Sequence, residues 1–183
     1  DGSVIAIGFD GSISDDATIL RGCTREGHSF ILGAWVRPRT QQELAQWRAE
    51  HPAEREWRVI RSEVNNAVVE AFSKYRVGLM LCDPPRWQTE IETWAASHGE
   101  ERVLALDTNQ ARRMAPAVDR WRTAIAEGTH THDAHPATSD HVKAAHLRKV
   151  NVVADEEDRR TKYVLVKGDD RRKIDGAIAD VLA

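Results

Sequence analysis

Residues 4–12 read VIAIGFDGS: an unbroken apolar run from Val4 to Phe9 that stops at Asp10-Gly11-Ser12. A short continuous apolar run closed by turn formers is the pattern of a buried strand. Ala17–Cys23 and Ser29–Val36 are two more strand-like runs, with turn residues around Glu26-Gly27 between them. Together the three predict an antiparallel meander. Val77–Cys82 is a second continuous apolar run, and it stops at Asp83-Pro84-Pro85, where the proline pair ends the strand and forces a turn. In a mixed sheet two such strand ends can lie side by side and present Asp10 and Asp83 at one edge.

The remaining chain supplies helices and one or two further strands. Pro38 to Pro52 reads as a short helix or elaborated loop with Thr40 as its N-cap. Val64, Ala67, Val68, Ala71, Phe72 and Tyr75 recur at helical spacing, as do Ile91, Trp94 and Ala95, and then Met114, Val118, Trp121 and Ile125. Val103–Leu106 and Tyr163–Val166 read as strands, and Lys173–Ala183 as a closing helix. Gly128–Ser139 reads as a loop, Val142, Ala145, His146 and Lys149 as a helix after it, and Asp155–Arg160 as a solvated turn. The expected fold class is α/β: a mixed sheet with an antiparallel three-stranded start, flanked by helices.

A chain of 183 residues with 41% hydrophobic content suits one domain with a real core. Lys plus Arg total 26 against 29 Asp plus Glu, a net charge of -3, which lacks the strong basic excess of a dedicated DNA-binding module. A nuclease needs acids for metals and bases for phosphates, so balance is compatible with one. Two cysteines, Cys23 and Cys82, are too few for a disulfide scaffold and read as buried thiols of an intracellular protein. No apolar stretch approaches the ~18 residues of a membrane span, and no signal peptide is visible. The start on Asp1 rather than Met suggests an excised piece of something longer.

Asp175, near the start of the last helix, is the third acid placed to face the edge that carries Asp10 and Asp83. Hard divalent cations prefer oxygen ligands and keep several waters, so a few carboxylates suffice to bind them. Two such ions about 3.5–4 Å apart can activate water and stabilise the leaving oxygen of a phosphodiester. Singly, each acid has a plain structural use: a turn or cap for Asp10 and Asp83, a favourable helix-dipole position for Asp175. Their combination and order carry the functional reading.

The order of IGFDGSISDDATILRG (7–22), LMLCDPPRWQTEIETWA (79–95) and RKIDGAIADVLA (172–183) resembles the nuclease domain of the large terminase subunit of tailed bacteriophages. GTHTHDAHPATSDHVKAAHLRKVN (128–151) resembles a family stretch in which a His-Asp loop precedes a helix carrying His and Asn. The resemblance implies a ribonuclease-H-like fold and a two-metal endonuclease, using Mg²⁺ or Mn²⁺, with Asp10, Asp83 and Asp175 as catalytic metal ligands. It implies cutting of concatemeric viral double-stranded DNA during capsid filling in the host cytoplasm. It also implies partners: a packaging ATPase domain, the small terminase subunit and the portal. The sequence has no Gly-x-x-x-x-Gly-Lys-[Ser/Thr] phosphate loop, so residues 1–183 are expected to be a single nuclease domain without its motor.

Secondary candidates surround this trio. Asp16 and Asp170 are reserves for the metal shell; Asp15 reads as a turn residue and Asp169 as a cap. Asp180, five residues past Asp175, is rotated well away on the helix and reads as surface. Arg171, Arg172 and Lys173 are the DNA-contact candidates, because they immediately precede Asp175 and can neutralise phosphates. His130, His132, His135, His141 and His146 match no closed zinc pattern; one of them at the rim of the site would help hold DNA, against a plainer role for His146 in helix packing. Competing functions are another ribonuclease-H-like enzyme (resolvase, integrase or transposase), an actin-like phosphate-binding domain, and a non-enzymatic docking domain.

Overall fold

The computed structural model describes residues 2–13, 17–151, 161–168 and 173–183. Asp15, Asp16, Asp169, Asp170, Arg171 and Arg172, and the turn expected at Asp155–Arg160, lie outside the described residues.

The three opening runs form β1 (Val4–Asp10), β2 (Thr18–Thr24) and β3 (His28–Trp35). They pair antiparallel, Phe9 facing Leu20 and Leu20 facing Gly33. On the other side of β1, β4 (Arg76–Cys82) runs parallel to it, and β5 (Val103–Ala105) runs parallel to β4. A two-residue β6 (Thr131–His132) pairs with β3, completing the order β5-β4-β1-β2-β3-β6. β7 (Ala145–Val150) and β8 (Lys162–Lys167) form a separate antiparallel pair. The described helices are α1 (Gln41–Glu50), α2 (Arg61–Lys74), α3 (Gln88–His98), α4 (Ala111–Ala126), α5 (Pro136–Ala144) and α6 (Asp175–Leu182).

Side-chain alternation explains why both faces of β1 are covered so differently. Ile5, Ile7 and Phe9 point to one face and pack with Val64 and Val68 of α2 and with Ile91 and Trp94 of α3. Ala6 and Gly8 alternate with them and leave room on the opposite face. A Cβ at Gly8 would run into the carbonyl oxygen of Ala179, so α6 lies directly on the β1 backbone only because residue 8 has no side chain. In β4 the register shifts between Ile5 and Ala6, and Gly78 is the unpaired extra residue. This bulge brings Val77, Met80 and Cys82 onto the same apolar face.

A second core, Met114 and Val118 of α4, Val164 of β8 and Ile178 and Leu182 of α6, binds the hairpin to the α6 side of the sheet. α1 opens at the expected N-cap Thr40, within a capping box: Thr40 Oγ1 accepts from Glu43 N at 3.1 Å, and Glu43 Oε2 accepts from Thr40 N at 3.2 Å. It buries no residue.

The loop expected over Gly128–Ser139 contains β6 and the first turn of α5, and three further expectations are corrected. The helix expected through Val142, Ala145, His146 and Lys149 ends at Ala144, and Ala145 to Val150 is strand β7. Pairing with the apolar Tyr163–Val166 run won over local periodicity, so His146 packs in no helix. Cys23 is only half-buried, unlike Cys82, because it sits near the open end of β2.

The third correction is Asp180, which is 6% exposed rather than a surface residue. Asp175 heads α6 while the Asp180 side chain turns back into the sheet, where Arg21 stands fully buried in the middle of β2. Arg21 Nε donates to Asp180 Oδ1 at 2.5 Å, and Ser29 Oγ donates to the same oxygen. Trp121 Nε1 donates to Asp180 Oδ2 at 2.9 Å, and His130 Nε2 lies 3.0 Å from it. Arg21 Nη1 reaches Thr138 Oγ1 at 2.6 Å. One carboxylate thus ties α6, β2, β3, α4 and the segment before β6 together.

Burial opposes ionisation of Asp180, yet the His130 hydrogen bond and the Arg21 charge win and hold its carboxyl well below the ordinary range. A depressed folded-state value means that this contribution is fully present above 3.8 and is lost as pH falls below it. Asp180→Ala removes the buried carboxylate partner of Arg21 and leaves only the longer contact to Asp133 Oδ1 at 3.6 Å, and a loss of about 3–5 kcal/mol is expected in urea denaturation at neutral pH. A loss below about 1 kcal/mol, the scale of an exposed ion pair, would refute the anchoring role.

Candidate active site

The sheet edge at the ends of β1 and β4 is built by two turns of different chemistry. After β1, a Cβ at Gly11 would collide with the Trp87 indole, so glycine lets the chain cross over that ring. Ser12 then closes the turn, its N–H donating to Thr18 Oγ1 at 2.9 Å and its carbonyl accepting from Thr18 Oγ1 at 2.8 Å. After β4, Asp83-Pro84-Pro85 turns the chain, and Trp87 N donates to Pro84 O at 3.1 Å. Trp87 is fully buried, meets Phe9 edge-on at 5.2 Å, and its Nε1 donates to Ser12 O at 3.3 Å. The two strand ends are therefore clamped on one aromatic floor.

Asp10 and Asp83 emerge side by side from this floor. Phe9 and Cys82 are register partners, and Asp83 N donates to Phe9 O at 2.9 Å. Asp175 opens α6, which lies against β1 and β2, and brings a third carboxylate to the same end of the sheet. All three acids line one cleft of about 390 Å³, together with Arg86, Thr108, Asn109 and Lys167. Among the described residues no three His, Cys, Asp or Glu side chains converge tightly enough to form a ready metal cluster. The acids share a cleft without closing on one point.

Asp83 is 8% exposed, and its Oδ1 accepts from Thr108 N at 2.9 Å. Burial pushes its carboxyl up, the Thr108 bonds pull it down, and the nearby Asp107 charge adds to the rise, so the net shift is upward. Asp175 is 7% exposed. The next residue, Gly176, donates its N–H to His141 Nδ1 at 2.8 Å, which satisfies one donor of the first turn of α6. His141 is almost fully buried, so it braces the helix end rather than lining the cleft.

Sequence reading named the three acids but missed most of their neighbours. Lys167 closes β8 and faces the cleft, whereas Lys173, the one described member of the expected basic trio, does not line it. Thr108 and Asn109 follow β5, and nothing in their local pattern marks them. The Arg21–Asp180 network did leave a signal: an arginine inside the strand run TILRGC demands a buried partner. Of the histidines, His130 belongs to that network, and His132 and His135 lie away from the three acids.

The mixed sheet with its antiparallel start, flanked by helices, is the ribonuclease-H-like fold of terminase nucleases. The whole chain matches, in its fold, the crystal structure of the large terminase nuclease from thermophilic phage G20c, with a TM-score of 0.59 and 10% sequence identity over 99% of this chain and 81% of that one. In sequence it is similar to the Gene 13 proteins of Mycobacterium phages D29 and L5, 29% identical to each across its full length. The chain spans 29% of the length of these relatives. No family model matches the sequence. Among the described residues no helix is long and apolar enough to cross a membrane.

The elevated Asp83 carboxyl has a consequence for stability. A buried acid whose folded-state value is raised destabilises the fold increasingly as pH rises through the window between its unfolded and folded values. Asp83→Asn keeps an acceptor for Thr108 N and removes that burden. In metal-free buffer at neutral pH, the denaturation midpoint of Asp83→Asn is expected to exceed that of the wild type; an equal or lower midpoint would contradict it.

Proposed function

We propose that the chain is a divalent-metal-dependent DNA endonuclease domain, with Asp10, Asp83 and Asp175 as its catalytic carboxylates. The observation that carries this reading is that three acids far apart in sequence, on two strand ends and one helix start, line a single cleft. The donor set fits hard cations, because it offers carboxylate oxygens and no thiolate or imidazole. Two Mg²⁺ or Mn²⁺ ions bound there would supply Lewis-acid activation of water and stabilisation of the leaving 3′ oxygen.

The chain's own residues define what the cleft does to a DNA strand. Asp10 and Asp83 stand on a rigid aromatic floor, so their spacing is set by the β1–β4 pairing rather than by loop motion. Asp175 stands on a helix that packs on the β1 backbone at Gly8 and is held there by the Arg21–Asp180 pair, so it is positioned by helix packing rather than by the strand-end turns. Asp83 keeps one oxygen engaged by Thr108 N, which orients the carboxylate toward the cleft. Lys167 and Arg86 line the same space and neutralise phosphate charge there. Lys173, just ahead of Asp175, extends that basic surface, with Arg171 and Arg172 proposed to join it and Asp16 and Asp170 proposed as reserve ligands.

The likeness to phage proteins supports a role in viral genome packaging, with double-stranded DNA as substrate and the host cytoplasm as the place of action. Residues 1–183 would act as the single nuclease domain of a longer terminase large subunit. Its partners would be the ATPase domain, the small terminase subunit and the portal. The fold match favours this reading over an actin-like phosphate-binding domain.

The test is plasmid cleavage in Mg²⁺ or Mn²⁺, with chelator and active-site variants as controls. Nicking and linearisation are expected with metal alone. Asp10→Ala, Asp83→Ala and Asp175→Ala should each lose more than the 10–100-fold typical of groups that only support metal ligands, that is, at least about 100-fold. Full cleavage by purified Asp175→Ala would overturn the assignment. For DNA affinity measured in Ca²⁺, Lys173→Ala should lower the slope of log affinity against log salt by about 1; an unchanged slope would remove Lys173 from the DNA surface.

A further inference from the structure

A second cavity, of about 430 Å³, opens on the α6 side of the sheet, with Arg21 and Asp180 lining it rather than the three clustered acids. Its walls are Trp121 and Ile125 of α4 and Val142 of α5, and His132, Ser139 and Lys143 also line it. The cavity belongs to none of the proposed cleavage machinery and has the size of a small-ligand site.

Its hydrogen-bonding groups are unbalanced toward donors. Asp180 is the sole carboxylate in the lining, and both its oxygens are already engaged, Oδ1 by Arg21 and Ser29, Oδ2 by Trp121 and His130. Arg21 keeps Nη2 without a hydrogen-bond partner among the described residues, although its side chain is fully buried. His132 Nδ1 accepts from Ala134 N at 2.9 Å, which leaves Nε2–H as the donor of the neutral ring. Ser139 adds a hydroxyl and Lys143 an exposed ammonium. Arg21 also lies 3.6 Å from Asp133 Oδ1, so its charge is shared by two carboxylates; the unused donors and the exposed Lys143 ammonium are what suit an oxyanion. The indole of Trp121, held in place through Nε1, and the aliphatic Ile125 and Val142 suit a flat apolar body attached to it.

We propose that this cavity binds a nucleoside monophosphate, with the phosphate toward Arg21, Ser139 and Lys143 and the base against Trp121. The same chemistry is presented by a free nucleotide and by the 5′-phosphorylated end of a DNA strand. The site works without metal, so it stands or falls separately from the cleavage reading.

The experiment is calorimetric titration of the full chain in chelator, which silences any metal-bridged binding at the carboxylate cleft. The probes are dAMP, inorganic phosphate, deoxyadenosine, and a short single strand with and without a 5′ phosphate. Binding of dAMP with a Kd below about 1 mM is expected, with phosphate and deoxyadenosine each at least about tenfold weaker. Lys143→Glu reverses the charge at the rim and Val142→Trp fills the cavity; each should weaken dAMP at least about tenfold while leaving the thermal midpoint in place. A preference of the phosphorylated over the unphosphorylated strand, matching that for dAMP, would assign the site to strand ends; binding of dAMP alone would assign it to free nucleotide. No dAMP binding at millimolar concentration, or binding indifferent to both variants, overturns the proposal.

Discussion

The buried pair between Arg21 and Asp180 is the interaction on which the arrangement of this protein turns. It joins the middle of β2 to the second turn of α6, and four donors converge on the one carboxylate. A buried ion pair of this kind adds little net stability over well-packed apolar residues, because desolvation offsets most of the attraction. What it adds is geometry. A guanidinium fully enclosed in a sheet accepts few alternative partners, so α6 has one energetically acceptable register. The small face of β1, Ala6 and Gly8, then admits the helix backbone at close range.

That register sets where Asp175 stands. The helix begins at Asp175, and His141 holds the first turn through Gly176 N. The opposite pair, Asp10 and Asp83, depends on a different constraint: parallel pairing of β1 with β4 over an aromatic floor of Phe9, Trp87 and Trp94. The cleft is thus assembled from two differently braced halves that meet where α6 packs on β1. Such bracing is what a site needs if it is to hold like charges together, since carboxylates gathered at low exposure repel and cost desolvation energy until a cation joins them. The upward push on Asp83, caused first by burial, is the desolvation part of that cost.

Much of this was legible along the chain. The strand ending at Asp10, the strand ending at Asp83-Pro84-Pro85 and the helix opened by Asp175 were readable because apolar runs and turn residues are local signals, and the structure places all three acids on one cleft. The Thr40 cap was readable because an N-cap hydroxyl ahead of a helical stretch is a local signal. Where reading failed, the deciding contact was remote in sequence. Val142 to Lys149 has helical spacing, but residues 145–150 pair with 162–167 and become a strand. Asp180 looked like surface by its angle from Asp175, and the partner that buries it lies 159 residues away.

By itself, then, the sequence determined the mixed α/β class, the antiparallel start and the identity of the acids at element ends, because backbone sterics and hydrophobic periodicity act over a few residues. Only the tertiary structure decided that α6 is buried on nearly every side, which basic residue, Lys167 rather than Lys173, lines the cleft, and that a second, donor-rich cavity exists at all. Those outcomes depend on where unpaired polar groups can find partners once the layers stack. That is a property of the whole packed chain and not of any window within it.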